Sequence, residues 1–203
     1  MDNTRLIEEM LQLFMQSFFV KYQYEYRGVL KKMRIDNRLN MEIDEEKWCE
    51  SFLYKACLNR CAQILLMRIL EDQGLIYSKM NKEGLEKWRK LAKNIATKFD
   101  ILYHIGLQDL QADENKKIRS IFGKSDYDLL EIDDELAEIV VQYASVIDFS
   151  NIQREEIIKF FRKLYSLEGR EEWDLENFYK EAPALRYILK LEKEEFLFEK
   201  RIK

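Results

Sequence analysis

"EKWCESFLYKACLNRCAQILLMRILED", residues 46–72, decides the fold. Leu53, Ala56, Cys57, Ile64, Leu65 and Ile69 recur at the three- and four-residue steps that line one side of an α-helix. Phe52, Leu58, Leu66 and Met67 widen that arc until little is left for solvent, which predicts a helix through the centre of the molecule. Lys55, Asn59 and Gln63 form a narrow polar stripe at four-residue steps, and Gly74 stands where a left-handed residue would end the helix. Arg60 and Arg68 lie inside the apolar run. A guanidinium cannot shed its charge, so a buried arginine needs partners. Arg68 is expected to pair with Glu71 or Asp72, and Arg60 with an acid at Asp133, Asp134 or Glu135. The competing expectation is that one of the two reaches a DNA phosphate.

Outward from this helix the chain continues in the same style. It has 203 residues, 47% hydrophobic and 35% charged, enough to bury a core in one domain. One proline, Pro183, and six glycines leave few obligatory turns, which favours long helices over a many-stranded sheet. The predicted fold is all-α, a bundle of roughly seven to nine helices with short connections. It is read as one helical domain over 1–203, with an N-terminal segment 1–45, a core bundle 46–170 and C-terminal helices 171–203.

Residues 4–35 begin helically, with Leu6, Met10, Leu13, Phe14 and Phe18 on one face. In "KYQYEYR" Tyr22, Tyr24 and Tyr26 alternate with polar residues before Gly28, so a short strand or a break is the alternative to continued helix. Those tyrosines could stack nucleobases, although packing is the commoner use of such a stripe. "DNRLNMEIDEE", residues 36–46, reads as a connection. Residues 85–99 repeat the helical pattern, with Leu85, Trp88, Leu91, Ala92, Ile95 and Phe99 inward. Residues 100–125 read as short helices and turns. Asp133 or Asp134 is expected to cap a helix carrying Leu136, Ile139, Val140 and Tyr143. Ser150 and Gln153 form a capping box before Ile157, Phe160, Phe161 and Leu164. Elements at Asp174–Lys180 and Pro183 to about Lys200 complete the chain.

A formal net charge of −4 provides no global field toward nucleic acid or an anionic membrane. The best local basic face lies on 85–99, where Lys87, Arg89, Lys90 and Lys93 are the candidate DNA contacts against the plainer reading of a solvated face. No apolar run reaches the roughly 18 residues of a spanning helix, and the acidic start is unlike a secretion signal, so no membrane partner is expected and the expected location is cytoplasmic. Cys49, Cys57 and Cys61 make no disulfide framework, and with a single histidine, His104, neither a structural zinc nor a Glu-x-x-His di-iron site is expected. There is no nucleophile elbow, phosphate-cradling glycine loop or dinucleotide fingerprint, and no two acids stand out as a hydrolytic pair.

The order of three blocks is informative. "NRCAQILLMRILEDQGLI" (59–76) carries Asn59, Arg60 and an R-x-L-E-D-x-G run over Arg68, Glu71, Asp72 and Gly74. "YDLLEIDDELAEIVVQYASVIDFSNI" (127–152) carries Asp133, Asp134, Glu135 and Leu136, then Asp148, Phe149 and Ser150. "IIKFFRKLYSLEGREEWDLENFYKEAPALRYIL" (157–189) follows. Together, over roughly residues 50–190, they resemble the helical region that precedes the catalytic domain of large DNA adenine methyltransferases in restriction-modification and phage-defence systems.

In that family a G-x-F-Y-T-P loop then helps hold S-adenosylmethionine, and an N-P-P-Y motif engages the flipped adenine. Here Asn177, Phe178, Tyr179, Lys180 and Glu181 stand at the loop and keep only its aromatic pair, and no N-P-P-Y follows. The resemblance therefore implies a non-catalytic part, with no catalytic, cofactor or metal residue carried over and S-adenosylmethionine belonging to the parent family. It implies a methyltransferase catalytic domain or subunit as partner, and a fragment, a truncated gene or a separate subunit as the origin of the chain. The apolar stretch "LRYILKLEKEEFLF" is the expected surface for that partner or for self-association. The alternative is a free-standing helical scaffold or inhibitor that binds a protein.

Overall fold

The computed structural model describes residues 3–36, 42–92, 98–144, 146–150, 152, 154–164 and 181–190. Among them are nine α-helices and no strand. They are α1 (Asn3–Phe19), α2 (Arg27–Asp36), α3 (Glu45–Asp72), α4 (Lys82–Leu91), α5 (Phe99–Gln111), α6 (Lys116–Ile121), α7 (Asp134–Ala144), α8 (Arg154–Leu164) and α9 (Pro183–Lys190). A π-helical segment, Val20–Glu25, follows α1, and a 3-10 turn, Asp126–Leu129, precedes α7.

The central helix forms as its sequence predicts. Asp44 caps it by accepting the amides of Glu46 at 2.9 Å and Lys47 at 3.2 Å. Those two amides hold the Asp44 carboxyl below the usual aspartate range. At the other end Gly74 adopts φ +70°. The Leu75 amide reaches back to the Leu70 carbonyl at 2.9 Å and the Gly74 amide to Glu71 at 3.0 Å, so a Schellman turn consumes carbonyls the helix leaves open. Residues from Phe52 to Glu71 are buried almost without interruption, including Asn59, Arg60, Gln63 and Arg68.

Around α3 the other helices close one core. The sequence-predicted face of α1 supplies Leu6, Met10, Phe14 and Phe18 to it, while Leu13 stays exposed. Both α1 and α5 pack on α7, and α9 packs on α3, α6 and α8. Asp133 accepts the Leu136 amide at 3.1 Å and caps α7. The neighbouring Asp134 instead accepts the Phe99 amide at 2.6 Å, so the first turn of α7 caps the start of α5.

The helical reading of the tyrosine stripe holds through Tyr22 and Tyr24, as a π-helical segment over Val20–Glu25, and a break follows at Tyr26. Tyr22 turns inward, where its hydroxyl donates to the Glu131 carbonyl, while Tyr24 stays in solvent. The single helix expected over 85–99 is divided. α4 ends at Leu91, which is 80% exposed rather than inward, and Phe99 opens α5. Apolar spacing continues from one helix to the next because both contribute to the same core, and periodicity alone does not report where one ends and the other begins.

The capping box expected between Ser150 and Gln153 falls on Gln153, outside the described residues; the Ser150 amide and hydroxyl bond to Asp148 at 2.8 and 2.5 Å. A capping box is present at Ser125 and Asp128. The stretch expected to be an open apolar surface is, over Leu185, Tyr187 and Ile188, buried in the core. Its amphipathic pattern marks a buried face and cannot say which body covers it. Residues 191–198 of that stretch, the Asp174–Lys180 element, Ile95 and Gln153 lie outside the described residues.

Candidate functional site

Two buried polar clusters interrupt the apolar core, and both hang on α3. In the first, the Arg60 guanidinium is fully used. Nε donates to the Leu130 carbonyl at 3.2 Å, Nη2 to the carbonyls of Asp128 and Leu130 at 2.7 and 2.9 Å, and Nη1 to Gln63 at 3.0 Å. Its carboxylate partner is Asp128, 3.1 Å away, and not one of the acids at 133–135. The polar stripe of α3 explains the choice. Asn59 and Gln63, one turn apart on that stripe, both donate to the same Asp128 oxygen at 2.9 and 3.0 Å. The second Asp128 oxygen accepts the Ser125 amide at 3.0 Å and closes its own turn. Tyr103 is buried beside Arg60; burial pushes its phenol up to about 12 against the opposing pull of the guanidinium.

Asp133 is engaged elsewhere. It pairs with Lys21, which the π-helical segment turns inward and which also meets Glu135 at 2.9 Å. Burial pulls the Lys21 ammonium down, but the hydrogen bonds it donates to Asp133 and Glu135 outweigh that and hold the group above its ordinary value.

The second cluster lies about 12 Å further along α3, eight residues at 1.5 Å each. Arg68 donates through Nη1 to Glu71 at 2.9 Å and through Nη2 to Asp72 at 2.9 Å. Two carboxylates against one guanidinium leave a surplus negative charge, which backbone amides absorb. Glu71 accepts Lys79 and Met80, both at 2.9 Å, and Asp72 accepts Phe149 at 3.0 Å. The Phe149 ring packs 5.0 Å from the guanidinium carbon. Burial pushes the Glu71 carboxyl up, while Arg68 and those amides act against the shift.

Glu71 thereby fixes the connection between α3 and α4. Lys79 crosses to Asp109 at 2.5 Å, Asn81 caps α4 by accepting the Gly84 amide at 2.9 Å, and a Cβ on Gly84 would overlap the Lys79 backbone. Tyr77, at the tip, is 90% exposed. Hollows flank this connection. One of about 350 Å³ is lined by Gly74, Tyr77, Lys79, Asp109 and Asp113, and one of about 710 Å³ by Asn81, Lys82, Glu86, Val146 and Asp148. The polar groups at their base are those already committed to holding the chain together.

Of the candidate DNA contacts, Lys87, Arg89 and Lys90 are exposed on α4, and Lys93 lies outside the described residues. Glu83 and Glu86 share that helix, and Lys87 pairs with Glu83 at 2.6 Å, so the face is mixed in sign. A denser basic element went unread in the sequence: α2 carries Arg27, Lys31, Lys32 and Arg34 against Asp36 alone. Its signal was visible as charge per residue, but the tyrosine alternation just before it obscured where the helix began. Asp128, the anchor of the Arg60 cluster, was missed as well. Its clue was the Ser125-x-x-Asp128 spacing of a capping box.

Among the described residues no cluster of three or more histidine, cysteine or acidic side chains is arranged to hold a metal ion. Cys57 and Cys61 are buried free thiols, and burial together with Cys61 raises the Cys57 thiol well above its usual range. No described helix is long and apolar enough to cross a membrane. Comparison with known protein families, curated proteins and solved structures returned no match.

Proposed function

We propose that this chain is the non-catalytic helical domain of a DNA adenine-specific methyltransferase or restriction-modification protein, positioning DNA or linking catalytic and specificity modules. One observation supports the reading above the others. Two of the blocks that carry the resemblance meet in space, because Arg68 and Asp72 of the first hold Phe149 of the second through a ring contact and a backbone hydrogen bond. Blocks that belong to one structural unit are expected to depend on one another physically, and Arg68, Asp72 and Phe149 do. On this reading the methyl donor and the flipped base belong to a separate catalytic domain, no step of methyl transfer is assigned to this chain, and Lys87, Arg89 and Lys90 are its phosphate contacts.

A scaffold that binds a protein is the second reading, favoured by the alternation of Glu83 and Glu86 with the cations of α4. The deciding experiment is affinity capture of methyltransferase catalytic domains encoded beside this gene, with duplex DNA binding measured in parallel. The first reading expects co-purification, or a DNA affinity that falls at least about tenfold between 50 and 200 mM salt. Neither signal leaves the scaffold.

A further inference from the structure

Helix α2 is tied to the start of α3 largely through cations. Its apolar anchoring is Leu30, which is fully enclosed, with Met33 half-buried beside it; Val29 and Ile35 face solvent. The remaining ties run from cations to the first turns of α3. Arg27 meets Glu46 at 3.7 Å and Lys31 meets Glu45 at 3.1 Å, both pairs at the surface. Arg34 donates to the Ile43 carbonyl and lies over the Trp48 indole, 5.2 Å from its centre. The backbone is already interrupted at the near end, where Tyr26 breaks the helical path and Gly28 has open space around it.

Beneath Arg34 of α2 lies Trp48, one end of an aromatic wall. Trp48 stacks on Phe52 at 4.9 Å, and Phe52 packs on Tyr127 at 5.3 Å. Trp48 is 3% exposed with Arg34 over it. The same wall borders a hollow of about 440 Å³ lined by Trp48, Phe52, Lys124 and Asp126.

Surface ion pairs between flexible side chains are weak and are screened by salt, whereas apolar packing is not. An element anchored by Leu30, the half-buried Met33 and the buried Arg34, with two surface ion pairs beside them, should therefore open before the core does, and those two pairs make it open more readily as ionic strength rises. We propose that α2 is an electrostatically latched arm, hinged at Tyr26–Gly28, whose release from the acidic start of α3 uncovers Trp48 at the end of that wall. The inference is independent of the methyltransferase reading. An anionic ligand that competes with Glu45 and Glu46 for Arg27 and Lys31 would work the same latch that salt does.

The test is amide hydrogen exchange of the full chain at 50 mM and 1 M NaCl, following α2 and the middle of α3 in one sample. Amides of α2 are expected to exchange at least about 100-fold faster than those of residues 56–66, as sub-global opening requires. The ratio should widen about three- to fivefold in high salt. Arg34→Met, which keeps an unbranched chain over Trp48 and removes the charge, should raise α2 exchange roughly tenfold at low salt and leave α3 unchanged. Protection of α2 equal to that of α3 would overturn the arm. Fast exchange of α2 without salt dependence would overturn the latch.

Discussion

Arg60 and Arg68 sit eight residues apart on one helix, equally buried, and are neutralised in opposite ways. Arg60 spends most of its donors on backbone carbonyls of a single turn, with one carboxylate to balance its charge. Arg68 spends its donors on two carboxylates, and those recruit amides from residues 79, 80 and 149. The first arginine organises the turn beside it. The second organises two distant segments through acids it never leaves. The difference shows that the reach of a buried charge is set by its counter-ions more than by its own length.

That contrast can be broken most severely at Arg68. Replacing it with methionine leaves Glu71 and Asp72 facing each other without a cation, and removal of one partner from a buried pair costs about 3–5 kcal/mol. Urea unfolding of Arg68→Met is expected to show that loss; a soluble variant of unchanged stability would refute the structural role. Arg60→Met orphans two carbonyls and one carboxylate, and Asp128 keeps hydrogen bonds from Asn59, Gln63 and Ser125. Its expected cost is smaller, about 2–3 kcal/mol, measured the same way. If the two variants lose equal stability, the distinction between them fails.

The Arg68 side is sharpened by Gly74→Ala. A side chain at φ +70° costs about 1 kcal/mol and strains the turn that Glu71 anchors. Calorimetry should show a Tm lowered by a few degrees, with no change in DNA or partner binding.

The Arg60 side carries a pH signature. The Tyr103 and Tyr22 phenols are both pushed up to about 12, from an ordinary 10.0, chiefly by burial. A group whose pKa is raised by folding gives stability that is present below its unfolded value and is lost as pH rises through the folded one. Stability should therefore decline between pH 10 and 12. Ultraviolet titration of the phenolates should show Tyr22 and Tyr103 ionising late, and replacing both with phenylalanine should remove that late phase.

Legibility in the sequence followed the range of each interaction. The central helix, the Gly74 stop and a partner for Arg68 within one turn were all readable, because the deciding residues lie within four positions of one another. The partner of Arg60 was not, since Asp128 is 68 residues away and was chosen by Asn59 and Gln63 through a shared oxygen. The separation of α4 from α5 stayed hidden because Leu85, Ala92 and Phe99 keep helical spacing across it. The inward turn of Lys21 depends on π-helical winding, which a strand-like alternation of tyrosines disguised. The C-terminal apolar stretch was legible as a face, but what covers Leu185 and Ile188 was not, because α3 and α8, on which that helix packs, lie elsewhere in the sequence.

The carboxylate of Asp134 carries one more consequence. It belongs to the first turn of α7 and yet provides the start signal for α5, 35 residues earlier. The N-terminal end of α5 is thus completed by chain synthesised after it, and a nascent polypeptide released before residue 134 would hold that helix with a frayed beginning. The stretch from 98 to 144 is inseparable in the same sense. A cut placed near Gly123 would divide α5 from the carboxylate that caps it, and the two pieces would need to reassociate for α5 to be well formed.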